Sequence, residues 1–209
     1  EKVYLDYNEM LENEELDIVS VCTWPPFHAP MVEAAAKSGV EAVHCEKPMA
    51  DTYGNAKRMV EVADEYGIQL TISHQRRFVQ TYTKARELLK SGRIGELQRI
   101  EMMAPNMYDW GTHYIDMMFF YNDVTPAEWV IGQIEGRESR KVFQMPNEAQ
   151  AISYIKFQND VYGLAITGNE AGMGTRLIGS EGQIQAPYSR EEPVRVWGRR
   201  RLLVLARLL

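Results

Sequence analysis

The chain has 209 residues, 45% of them hydrophobic and 25% charged, and 29 Asp and Glu against 23 Lys and Arg give it a net charge of −6. That is enough apolar material for one large domain or two small ones, and the acidic balance excludes nonspecific nucleic-acid or anionic-membrane binding as the main function, since both favour basic surfaces. No segment approaches the roughly 18 consecutive apolar residues of a membrane span, and Cys22 and Cys45 each end an apolar run, so buried reduced thiols in a cytoplasmic protein are expected rather than a disulfide framework.

The chain opens on Glu1-Lys2-Val3-Tyr4, without Met, a charged-then-apolar leader or a glycine-rich turn, and reads as a fragment or a processed start. Residues 16–22, 40–45 and 68–73 are short apolar runs with β-branched residues and are expected to be strands. Helices are expected between them. The first, 28–38, is rich in Ala and stops at Gly39; the second, 52–66, has Asp51 and Thr52 as N-cap candidates and stops at Gly67. The order β-α-β-α-β implies parallel strands with right-handed crossovers, half of a doubly wound sheet. In such sheets ligands bind outside the carboxyl ends of the strands, so Cys22-Thr23-Trp24-Pro25, Cys45-Glu46-Lys47-Pro48 and Ser73-His74-Gln75-Arg76-Arg77 are expected to line one crevice.

Beyond Arg77 the pattern changes to an amphipathic helix over 78–91, a strand near 97–102, a helix over 111–121, and then strand-like runs at 128–135, 149–157, 161–167, 176–178 and 194–197. Strands following strands imply antiparallel pairing, with Gln158-Asn159-Asp160 as a hairpin turn. The expected architecture is therefore α/β: a partial Rossmann, doubly wound parallel domain over 1–76, then an α+β substrate and oligomerisation domain over 77–209 with an open, mainly antiparallel sheet. The end, 199–209, is a basic-apolar stretch unlike the rest; it reads as a truncated or aberrant terminus or a packed terminal helix, with a membrane-surface helix as the lesser alternative.

Three readings compete for Asp109-Trp110-Gly111-Thr112-His113-Tyr114-Ile115-Asp116, where Asp109, His113 and Asp116 share one face if the segment is helical. The plain one is an N-cap Asp109, a satisfied His113 and an Asp116 bonded to a neighbouring loop. A metal site is a second, on a thin ligand set, so no metal is expected. General acid/base chemistry is the third, with a carboxylate orienting a histidine that titrates near neutral pH. Glu46-Lys47-Pro48 has its own plain reading, an ordinary solvated loop. Taken together, however, the segments hold what hydride transfer from an alcohol carbon requires. Lys47 would hold the substrate oxygen while His113 takes the hydroxyl proton. Elsewhere His44 reads as a satisfied core histidine, Met102-Met103 and Met117-Met118 as core filling, and Lys84, Arg86 and Lys90 as a solvated helix face.

The set Thr23-x-Pro25-x-x-His28, Glu46-Lys47-Pro48, Arg77-Phe78, Ser91-Gly92-x-Ile94-Gly95 and Asp109-x-Gly111-x-His113-x-x-Asp116 resembles the glucose-fructose oxidoreductase / inositol dehydrogenase / rhizopine-catabolism (Gfo/Idh/MocA) family, over about residues 4–185. The resemblance implies a Rossmann domain joined to a domain with an open antiparallel sheet, and an NAD- or NADP-dependent dehydrogenase of sugars, polyols or related cyclic substrates, homo-oligomeric through the second-domain sheet. It places Lys47, Asp109 and His113 on catalytic positions, and Thr23, Trp24, Pro25, His28, Glu46 and Lys47 on cofactor-contacting ones. Gln75 and Arg77 fall on the segment linking cofactor and substrate sites. Alternatives on the same fold are a glycoside hydrolase or lyase using NAD as a transient redox device, and a non-catalytic ligand sensor. The chain departs from the family in four places: no Gly-x-Gly-x-x-Gly turn, a short link between Met102 and Asp109, Trp24 and Pro26 where Thr-Pro-Asn is usual, and the basic-apolar ending. Without the glycine turn, the fragment by itself is expected to bind a dinucleotide poorly, and activity is assigned to the intact protein.

Overall fold

A computed structural model describes residues 2–136, 140–168, 172–188, 192–198 and 202–206. The chain divides into two compact units, Glu1–Ser73 and His74–Leu209. His74, Gln75 and Arg76 thus belong with the second unit, three residues ahead of the division expected at 76/77.

In the first unit, α1 (Tyr7–Asn13) precedes a β-α-β-α-β run of β1 (Ile18–Val21), α2 (Pro25–Lys37), β2 (Ala42–Cys45), α3 (Tyr53–Tyr66) and β3 (Gln69–Ile72). The three strands pair in parallel in the order β1-β2-β3, with Ile18 opposite Ala42 and Ala42 opposite Gln69. The helices begin and end for local reasons. Trp24 is extended and Pro25 supplies the first helical residue of α2, where its missing N–H costs nothing. The Thr52 side chain accepts from the Asn55 N–H at the start of α3, and Gly67, at φ 67°, stops it in the left-handed conformation. Val32, Ala35 and Ala36 of α2 are buried, and Val32 and Ala35 join Val21, Val43, Cys45 and Met59 in one core. Burial pushes the Cys45 thiol up to about 12. Two sequence expectations need correction here. Cys22 is exposed, because β1 ends at Val21 and leaves it in the loop. His44 is also exposed, its Nδ1 lying 2.9 Å from Thr71 Oγ1 on the neighbouring strand, because alternation along β2 turns it away from Val43 and Cys45.

The second unit begins with a 3₁₀ turn (Gln75–Phe78) and α4 (Gln80–Lys90), so the helix expected over 78–91 is two pieces broken at Val79. β4 (Leu97–Ala104), a π-helical turn (Met107–Gly111) and α5 (Thr112–Tyr121) follow. Then come β5 (Ala127–Glu135), β6 (Arg140–Val142), β7 (Met145–Asn147), β8 (Gln150–Phe157), β9 (Tyr162–Thr167), β10 (Gly174–Gly179), β11 (Gly182–Pro187), β12 (Val194–Gly198) and β13 (Leu202–Ala206). Eight of these form one sheet in the order β13-β12-β11-β10-β4-β9-β8-β5. It is antiparallel except where β4 meets β9. β11 was not expected from sequence, and 202–206 is a strand on β12 rather than a helix. Five residues are too few for a stable helix, and pairing satisfies their backbone. The flanking Arg199–Arg201 and 207–209 lie outside the described residues. Ile100 and Met102 of β4 and Met117, Met118 and Tyr121 of α5 are fully buried in one core with Phe157, Leu177 and Ile184. Arg86 and Lys90 are not simply solvated, for both pair with Asp123, just past the end of α5.

Candidate active site

In the first unit the predicted cofactor residues stand at the carboxyl ends of β1 and β2. Thr23 and Trp24 are exposed and, with Cys22, Phe27 and Met31, line a recess of about 480 Å³. Pro25 is buried as the first residue of α2. His28 is fully buried on that helix. Its Nε2 lies 3.0 Å from the Thr23 carbonyl oxygen, and its Nδ1 lies 2.9 Å from that of Pro48 and 3.2 Å from that of Met49. The ring therefore lies between the loop after β1 and the loop after β2, and a neutral imidazole donates to only one of them. In the second of these loops the Glu46 carboxylate accepts from the Lys47 N–H at 3.0 Å, Lys47 is half-buried, and the Lys47–Pro48 peptide is cis. The backbone extends the β2 ladder on both sides of this point: Glu46 N–H donates to Val21 and Ser73 N–H to Cys45.

In the second unit the predicted acid/base residues come from one stretch of chain. Asn106 caps the π-helical turn. Its Oδ1 accepts from the N–H groups of Asp109 and Trp110, both at 2.9 Å, and its carbonyl accepts from Gly111 at 2.8 Å. Asn106 rather than Asp109 is thus the capping residue of this turn. Space is tight at Gly111: a Cβ there would come 2.9 Å from Met107 Sδ and 3.2 Å from the Asn106 carbonyl oxygen. His113, only 5% exposed, sits in the first turn of α5, and its ring meets that of His74 edge-on with centroids 6.2 Å apart. One turn further on, Asp116 holds Arg77 in a two-point ion pair, with Nε and Nη2 donating at 2.6 to 3.1 Å. This matches the plain expectation for Asp116, a bond to a neighbouring segment. Gln75 is exposed beside it.

Asp116→Ala would leave the half-buried Arg77 guanidinium without its anion and is expected to cost roughly 1–3 kcal/mol of stability, read as a lower urea midpoint. Asp116→Asn should recover part of that by keeping an acceptor; equal midpoints for wild type and the Ala variant would show that the pair contributes nothing.

Sequence reasoning missed Asn106 and Glu148, and it named Arg76 only as one of the residues lining the expected crevice. Asn106 had a local signal, an Asn just ahead of the turn. Glu148 had none, because its carboxylate accepts from Met107 N–H, 41 residues away, and from Thr167 Oγ1 at 3.0 Å, 19 residues away. Among the described residues no group of three or more His, Cys, Asp and Glu is placed to hold a metal ion, and no helix is long and apolar enough to cross a membrane.

Residues 1–74 match the family model described as "Oxidoreductase family, NAD-binding Rossmann fold". An uncharacterized oxidoreductase of Schizosaccharomyces pombe is 31% identical over 134 residues, which are 55% of this chain and 36% of that protein. The myo-inositol 2-dehydrogenase of Thermotoga maritima is 26% identical over 218 residues, 93% of this chain and 63% of that protein. The crystal structure of an inositol dehydrogenase homolog from Azotobacter vinelandii, complexed with NADH and myo-inositol, shares the fold: TM-score 0.80 at 20% identity, over 96% of this chain and 59% of that one. The chain spans less than two thirds of the length of each of these proteins. Over residues 1–74 the chain is thus similar to the NAD-binding Rossmann part of the Gfo/Idh/MocA oxidoreductases.

Proposed function

We propose that the intact protein is an NAD(P)-dependent oxidoreductase that transfers a hydride between a nicotinamide and a hydroxyl-bearing carbon of a sugar, polyol or related cyclic substrate. The observation that carries this reading is the capped turn that presents Asp109 ahead of a buried His113, in a chain whose Rossmann unit sets Lys47 at the end of its middle strand. The names of relatives, among them a myo-inositol 2-dehydrogenase, support it.

The first unit suits a dinucleotide in one respect, since the recess beside Thr23 and Trp24 opens where β1 gives way to the N-terminus of α2. Thr23, Trp24, Pro25, His28, Glu46, Lys47, Gln75 and Arg77 are the residues proposed to hold or frame NAD or NADP. The bound nicotinamide supplies the hydride acceptor or donor. The Lys47 ammonium donates to the substrate oxygen and stabilises its developing negative charge. His113 takes the hydroxyl proton, or returns it in the reverse direction, while Asp109 orients His113 or the substrate.

The test is the absorbance of added NAD+ or NADP+ with a panel of inositols and aldoses. Change in step with product formation supports the dehydrogenase; substrate cleavage with no net change sinks it in favour of the transient-redox alternative.

The second unit is also proposed to form a homo-oligomer. On the edge strand β5, Val130 and Ile134 on one face and Ile131 on the other are 62%, 69% and 69% exposed, and Tyr154 and Ile152 of β8 continue the Ile131 face. Edge strands of this kind are normally covered. Ile131→Lys together with Ile134→Lys should convert a dimer or larger species to monomer in sedimentation velocity; a monomeric wild type would refute the proposal.

A further inference from the structure

Arg76 is a buried cation that pairs with no carboxylate among the described residues. It is 7% exposed, within the 3₁₀ turn, and its guanidinium carbon lies 4.5 Å from the ring centre of Tyr114, 5.1 Å from Tyr188, 5.4 Å from Trp110 and 5.9 Å from Tyr82. Nη1 donates to Tyr82 Oη at 2.9 Å. Among the described residues no carboxylate pairs with it, whereas its neighbour Arg77 is held at two points by Asp116. A guanidinium does not lose its proton in a protein, so the charge persists. Ring faces offset part of the cost of burying it but leave its in-plane donors unused. Tyr82 takes only Nη1, and Arg76 keeps 7% of its surface exposed.

The cage is built from the acid/base segment itself. Trp110 follows Asp109 directly, Tyr114 follows His113, and Trp110 and Tyr188 meet edge-on at 5.5 Å. We propose that Arg76 determines specificity and that the substrate carries a carboxylate, which takes the open edge of this guanidinium while the neighbouring segment handles the hydroxyl. The inference rests on the reading of Asp109 and His113 as the reacting centre. The chemistry favours a carboxylate, since a planar two-oxygen anion matches the guanidinium fork and supplies the charge the aromatic cage lacks. A neutral polyol would leave that charge uncompensated. Tyr82 fixes the fork from the opposite side, so the open edge is held in one orientation before the ligand arrives.

The experiment is calorimetric titration of the full-length protein, with NAD+ added, using three probes: D-glucuronate, D-glucose and D-glucose 6-phosphate. D-glucuronate should bind at least about tenfold more tightly than D-glucose, and Arg76→Met should erase that preference while leaving the circular-dichroism spectrum unchanged. Should the Met variant fail to fold, Arg76→Lys keeps the charge without the fork and should lose most of the preference. Equal binding of the acid and the neutral sugar, a preference that survives both variants, binding of none of the three, or tighter binding of the phosphate would each overturn the proposal. Nicotinamide absorbance recorded on the same samples separates the two claims. Uronate binding without hydride transfer sinks the dehydrogenase reading alone, and transfer confined to neutral polyols, with no effect of Arg76→Met on them, sinks the carboxylate alone.

Discussion

Lys47→Ala in the intact protein is expected to lower turnover by at least about a hundredfold, the range seen when an oxyanion donor or acid/base group is removed. Lys47 stands two residues past the end of β2, between Glu46, whose N–H bonds Val21, and the Pro48 and Met49 carbonyls, which lie within 3.2 Å of His28 Nδ1. A side chain on so constrained a backbone reaches its substrate without a large ordering cost, which is what makes its removal expensive for the transition state. Because the lost interaction strengthens as negative charge develops on the substrate oxygen, the fall should appear in kcat more than in KM. Single-turnover measurements of hydride transfer would check this directly. Near-normal turnover in the variant would discard Lys47 as a catalytic residue.

His113→Ala should be comparably damaging, and its signature differs. Removal of the group that takes the hydroxyl proton should lower turnover by roughly a hundredfold or more and abolish the limb of the pH–rate profile that reports its ionisation. His113 is buried at the start of α5, one turn before the Arg77–Asp116 pair that ties this helix to the 3₁₀ turn. The ring's position is thus set by packing rather than by a mobile loop. An unchanged pH–rate profile in the variant would remove His113 from acid/base duty, and a thermal melt of the same sample would show whether any loss of turnover came from unfolding.

Legibility from sequence followed the range of the interactions involved. The strands and helices of the first unit were readable because their apolar runs, the Thr52 cap and the Gly67 stop are all local signals. Their edges moved by a few residues, and that shift alone exposed Cys22. β11 escaped notice because its apolar positions are few, just Ile184, Ala186 and Pro187, and its identity as a strand comes from β10 and β12 on either side. The motif around Asp109 and His113 was legible, but its scaffold was only half so. Asn106 is a local cap, whereas Glu148 and Thr167 reach the turn from far along the chain. Arg76 was read only as part of the segment after the third strand that lines the expected crevice. Its cage is assembled from four aromatic residues spread between positions 82 and 188, and only folding brings them to one place.

His28 carries a chemical implication. One buried imidazole on α2 lies between the Thr23 carbonyl and those of Pro48 and Met49, and because a neutral ring donates from only one nitrogen, its tautomer decides which of the loops after β1 and β2 it bonds. A ligand that takes up the Thr23 carbonyl would thus leave the ring's single proton to the loop that carries Lys47.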